Sequence, residues 1–143
     1  MDFIEKKYFL LYNMQKKKEG NMEKEIKIEN DERIDDLEYK GLKIIQKVNG
    51  FCFGIDAVLL SDFAKDIKND AKVIDLGTGT AILPILISAK TNASKIVGVE
   101  IQEEIAEMAR RSVELNELQN KIEIVNENIK NLDKIFEIGT FDA

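Results

Sequence analysis

The sequence predicts an α/β fold, a Rossmann-like parallel sheet ending at about its fourth strand and preceded by a short β-hairpin. Two observations carry this. From Val73 onward, short apolar runs alternate with longer amphipathic stretches, the pattern of parallel strands joined by right-handed helical crossovers. The first of these runs closes on Asp75-Leu76-Gly77-Thr78-Gly79, and the carboxyl ends of parallel strands are where such sheets bind ligands. Length agrees, since 143 residues with 44% hydrophobic and 34% charged side chains fit one globular domain.

Residues 1 to 32 are rich in Lys, Glu and Asn and carry Met14 and Met22. They read as a flexible charged arm, either a solvated tail or an extension upstream of a natural start at Met22; Lys16, Lys17 and Lys18 offer a weaker reading as phosphate contacts. Residues 33 to 143 read as the folded, ligand-binding part. Leu42–Gln46 and Phe51–Phe53 are β-prone runs on either side of Asn49-Gly50, a hairpin signal. Cys52 is an ordinary strand residue in this reading. Phe53-Gly54-Ile55-Asp56 then makes a strand-to-helix corner, with Asp56 capping a helix that carries Val58, Leu59, Phe63 and Ile67.

Strands follow at Val73–Leu76, Ile96–Val99 and Ile122–Val125, with helices at Ala81–Lys90 and Ile101–Asn116 between them. Pro84 falls in a first helical turn, where its missing N–H costs little. In the second helix Ile101, Ile105, Met108, Ala109 and Val113 share one side, and Glu107 and Arg111 stand on the wet face. A short helix at Ile129–Phe136 and the start of a fourth strand at Phe141–Ala143 complete the chain.

Composition excludes several chemistries. One cysteine and no histidine leave no intrachain disulfide, no Cys/His zinc site and no His-based triad. There is no apolar run of about 18 residues, and Tyr8–Tyr12 is too short for a secretory core and lacks a cleavage pattern behind it. The expectation is a cytoplasmic protein with no membrane partner. The net charge of −6 argues weakly against nucleic-acid binding, but such footprints are local.

The glycine loop narrows the ligand. A dinucleotide fingerprint places a third glycine where Ile82 stands, which disfavours a nicotinamide cofactor. Asp75 is placed to shape the loop or to face a cationic ligand. Glu100, at the end of the second strand, is placed to take both hydroxyls of a ribose, and the amides of Asn126–Ile129 reach an adenine edge. Three such features on successive strand ends describe a site for a nucleoside cofactor.

At these residues the sequence resembles the class I S-adenosylmethionine-dependent methyltransferases. Val73–Pro84, "VIDLGTGTAILP", matches their acid-x-Gly-x-Gly motif, and "IVGVEIQ", Ile96–Gln102, matches their second strand with its ribose acid. The resemblance implies that Asp75, Gly77 and Gly79, with Thr78 between the glycines, line the methionine end of S-adenosyl-L-methionine. It places Glu100 on the ribose, Ile101 against the adenine, and Asn128, followed by Ile129, where the family has an aspartate on the adenine amino group. Arg33–Ala64 resembles the opening of bacterial tRNA(Val) adenine N6-methyltransferases, in which a hairpin and a Phe-Gly-x-Asp corner flank the cofactor; this adds Phe53, Gly54 and Asp56.

That resemblance implies N6-methylation of an adenine with tRNA as the partner. The subfamily's Asn-Pro-Pro-Tyr motif follows its fourth strand, and Pro84 is the single proline of this sequence. The chain is therefore expected to be the cofactor-binding half, inactive alone, with no catalytic residue of its own and a sheet edge prone to self-association. Methylation of rRNA guanine or protein glutamine, a pure binding module and a nicotinamide-dependent oxidoreductase remain as alternatives.

Overall fold

The computed structural model describes residues 26–50 and 54–143. A two-stranded antiparallel hairpin comes first, β1 (Glu32–Asp36) and β2 (Lys43–Lys47), with Ile34 opposite Ile45. The strand expected at Leu42–Gln46 is thus present, but its partner lies upstream. The chain reverses between Leu37 and Leu42, where Glu38, Lys40 and Gly41 take positive φ and the Leu37 N–H donates to the Leu42 carbonyl at 2.9 Å. Asn49-Gly50 follows β2 as a second turn. Phe51–Phe53, Cys52 included, lie outside the described residues.

Helix α1 (Ile55–Phe63) is capped at Gly54 without a side-chain bond. Asp56 is therefore not the cap; it sits in the first turn, and Ile67 lies beyond the helix end. Ile55, Leu59 and Phe63 of this helix are exposed.

The main sheet has the order β3 (Lys72–Leu76), β4 (Lys95–Glu100), β5 (Ile122–Asn126), all parallel. Helix α2 (Ile82–Lys90) connects the first pair and α3 (Glu103–Leu115) the second. On the free side of β3 the Asp142 N–H donates to the Lys72 carbonyl at 2.8 Å and the Ile74 N–H to that of Ala143 at 2.9 Å. The last residues thus lie beside β3, as the start of a fourth strand should.

The core explains the pattern. β4 is buried over five successive positions, as expected for a strand flanked on both sides and covered on both faces. Ile85, Ile96, Ile122, Ala106, Ala109 and Val113 close one apolar cluster, and Ile44, Ile82 and Leu86 join the hairpin to α2 in another. The alanines of α3 let its backbone approach the sheet.

Helix α3 begins at Glu103, so Ile101 precedes it and is exposed. Arg111 is not on a wet face. Its two terminal nitrogens donate to the two carboxylate oxygens of Glu32, each at 2.7 Å, and Glu32 is buried. Glu107 pairs instead with Arg110 at 3.2 Å. The cause is that α3 packs against β2 as well as β5, which covers a face that helical periodicity alone assigns to solvent. Among the described residues no helix is long and apolar enough to cross a membrane.

Candidate cofactor site

The turn from β3 into α2 takes its shape from backbone conformations that glycine adopts freely. Gly77 and Gly79 have φ of +80° and +57°, a region costly for side chains with a Cβ. An ideal Cβ at either position meets no protein atom within 4 Å, so the backbone borders open space. Gly77 and Thr78 both donate their N–H to the Val99 carbonyl at 2.9 Å, which ties the loop to the end of β4.

Gly98 completes this arrangement and was not singled out from the sequence. A Cβ there would stand 2.7 Å from Thr78 Oγ1 and 2.9 Å from both Thr78 Cγ2 and Ile124 Cδ1. The loop rests on β4 because this residue has no side chain. A glycine inside an otherwise apolar strand was the available signal.

Thr78 is buried, and its hydroxyl is the one buried side-chain polar atom without a hydrogen-bond partner among the described residues. Burial pushes the Asp75 carboxyl above the usual carboxylate range, and the nearby Thr78 hydroxyl pulls the other way without offsetting it. The Thr78 hydroxyl is close enough to the Asp75 carboxyl to act on it but does not reach hydrogen-bond geometry. Glu100 is only 6% exposed. Its Oε2 accepts from the Gly79 N–H at 3.0 Å and its Oε1 from the Gln102 N–H at 2.9 Å. Both oxygens are fixed, and each keeps acceptor capacity.

These groups border one cavity of about 750 Å³, lined by Gly54, Asp56, Asp75, Gly77, Thr78, Gly79 and Glu100. Its size suits a small molecule. Ile101, Asn128 and Ile129 lie outside the lining. Ile101 and Ile129 are more than half exposed, and Asn128 Oδ1 accepts from the Lys130 N–H at 3.0 Å, capping the 3-10 turn Ile129–Lys134. Phe53 is outside the described residues. The hairpin adds Gln46 and Lys47 to the wall, two residues that sequence reasoning missed because nothing local marks them.

Comparison with known proteins decides the family. The family model described as ribosomal protein L11 methyltransferase (PrmA) matches residues 55–138, well over half of the chain. The chain belongs to this methyltransferase family. Its fold is that of the class I S-adenosylmethionine-dependent methyltransferases. This methyltransferase chain is 30% identical over 78 residues to the tRNA1(Val) (adenine(37)-N6)-methyltransferase of Flavobacterium johnsoniae, covering 54% of the chain and 33% of that protein. It is 34% identical over 87 residues to the ribosomal protein L11 methyltransferase of Ruminiclostridium cellulolyticum, covering 55% and 26%. The chain thus spans a third or less of the length of these curated relatives. Among solved structures, Pyrococcus horikoshii TYW2 in complex with MeSAdo superposes with a TM-score of 0.61 at 16% identity over 72% of this chain and 38% of that one. Methanocaldococcus jannaschii TYW2 in complex with AdoMet gives 0.58 at 17% identity over 72% and 46%. At such identities the likeness carries the fold.

Proposed function

We propose that this chain forms the S-adenosylmethionine-binding part of a cytoplasmic methyltransferase that acts on tRNA by N6-methylation of an adenine. The observation that supports it most is Glu100, held at the wall of the cavity by the N–H groups of Gly79 and Gln102. A carboxylate fixed in this way is pre-organised to accept from a vicinal diol. Asp75 and Asp56 on the same cavity suit the cationic end of the cofactor. When bound, the cofactor supplies an activated methyl group on a sulfonium.

The residues of this chain then hold and orient rather than transfer protons, in keeping with the absence of histidine. Methyl transfer to an amine depends chiefly on alignment. The chain has no Asn-Pro-Pro-aromatic surface to clamp a base, Pro84 being its one proline, so none of its residues is assigned a catalytic role. The tRNA reading rests on Arg33–Ala64, whose resemblance to the adenine N6-methyltransferases includes the hairpin. A second reading, methylation of a ribosomal protein, has its own support in the family description, although that match begins at Ile55, behind the hairpin.

Calorimetry with S-adenosylhomocysteine tests the cofactor site. Glu100→Ala is expected to bind about ten- to hundredfold more weakly than the wild type. Unchanged affinity in a folded variant would sink the ribose assignment. Radiolabelled methyl transfer from S-adenosylmethionine, with unmodified tRNA and ribosomal protein L11 offered in parallel, separates the two substrate readings.

A further inference from the structure

We infer that Lys47 is a cofactor-binding residue that donates a hydrogen bond to a ribose hydroxyl, working opposite Glu100. The inference rests on the S-adenosylmethionine reading of the cavity and adds a contact to it. Lys47 ends β2 and is the single cation among the described residues that line the cavity, where Asp56, Asp75 and Glu100 supply carboxylates.

Its ammonium is held on two sides. Asp31, just before β1, accepts at 2.8 Å, and Glu104, in the first turn of α3, accepts from it as well. An ammonium has three N–H donors. Two are taken by these carboxylates, and among the described residues the third has no acceptor, although the side chain is only 21% exposed.

The position of this lysine is set by a polar seam rather than by its own flexible stem. The Ile45 N–H donates to Ser112 Oγ at 3.0 Å, the Lys43 N–H donates to Asn116 Oδ1 at 2.8 Å, and Asn116 Nδ2 donates to the Lys43 carbonyl at 2.6 Å. Together with Glu32–Arg111, these bonds fix the register of β2 on α3. Glu104, which accepts from Lys47, lies in the first turn of α3, and Glu100 lies three residues before its start, so Lys47 and the ribose acid meet at the same helix end.

The chemistry selects the ligand group. With two carboxylates on it, the ammonium carries no excess positive charge to attract the cofactor's own carboxylate. It remains a strong donor, suited to a neutral acceptor. A ribose hydroxyl meets both demands at once, because it accepts from Lys47 while it donates to Glu100.

The test measures binding of S-adenosylhomocysteine, adenosine, 2′-deoxyadenosine and 3′-deoxyadenosine by calorimetry to the wild type, Lys47→Met and Lys47→Arg. Lys47→Arg keeps both carboxylate partners and moves the donor, so it holds the hairpin if Lys47→Met does not fold. The expected result is a loss of about tenfold or more for S-adenosylhomocysteine and adenosine alike. The loss should disappear for whichever deoxy analogue lacks the bonded hydroxyl. Equal losses for all ligands would show that Lys47 only braces the wall, and would overturn the inference. So would unchanged affinity, or a loss confined to S-adenosylhomocysteine, which would assign the lysine to the amino-acid end. If the wild type binds none of the four ligands, the cofactor reading itself falls, a result distinct from each of these.

Discussion

Around β4 the molecule is closed by hydrocarbon, whereas the face of α3 that meets the hairpin is closed by a carboxylate, a guanidinium, a hydroxyl and an amide. Ile96 and Val99 have no exposed surface and neither have Ala106 and Ala109 above them. On the other side, Glu32, Arg111, Ser112 and Asn116 make directed bonds to or from the hairpin. The two regions divide the work. Apolar burial is non-directional and supplies most of the stability, while hydrogen bonds have narrow geometry and set where β2, and with it the hairpin wall of the cavity, stands.

Emptying the apolar side should have the largest effect. Ile96 is fully buried between β3 and β5, and Ile96→Ala should cost about 4 kcal/mol, the transfer term plus a residual cavity. Urea unfolding checks it. A cost near that of an exposed site would mean that the sheet does not carry the stability assigned to it.

Next comes the polar seam. Arg111→Met leaves the buried Glu32 without its bidentate partner, and because Arg111 is 14% exposed the cost should be about 2 kcal/mol, below that of a fully buried pair. Replacing both residues, Glu32→Leu with Arg111→Met, should recover most of it. The pH dependence gives a second reading. The hydrogen bonds from Arg111 chiefly hold the Glu32 carboxyl below the usual range, burial opposes them, and the Glu29 N–H adds to the lowering. A depressed folded pKa stabilises above the unfolded value of about 4.3 and loses that contribution as pH falls through the folded one. The gap between wild type and Arg111→Met should therefore be full at pH 7 and shrink below about pH 4.

This division also explains what the sequence disclosed. The strands of the sheet, the glycine loop and the acid at the end of β4 were legible because each is a local pattern, an apolar run, a turn or a strand end. β1 was not, since Glu-Arg-Ile-Asp-Asp has no apolar alternation and its first residue is buried only by pairing with Arg111, 79 positions away. For the same reason Arg111 was assigned to solvent. Periodicity reports faces that bury hydrocarbon and is silent about faces that bury ion pairs. Asp56 was read as a helix cap because its residue type fits, but the corner places Gly54 there. Gly98 and Lys47 matter through neighbours that only the folded chain supplies.

The smallest stability effect has the opposite sign. Asp75 lies on β3 of the apolar sheet and lines the cavity, and burial raises its pKa against the opposing Thr78 hydroxyl. An acid whose folded pKa lies above its unfolded value of about 3.9 makes the protein less stable as pH rises from that value through the folded one, because the native state holds a proton that the unfolded chain has released. Burying this carboxyl is therefore a local cost once the pH exceeds its unfolded value. Asp75→Asn should remove it and raise stability by less than about 1 kcal/mol, visible as a small increase in melting temperature. The same substitution takes away a carboxylate that faces the cationic end of the proposed cofactor, so S-adenosylmethionine should bind about tenfold more weakly. Stability and affinity moving in opposite directions is the signature of a charge kept for a ligand. If both fall together in calorimetry and thermal melts, Asp75 braces the glycine loop and the cationic end of the ligand must be met elsewhere.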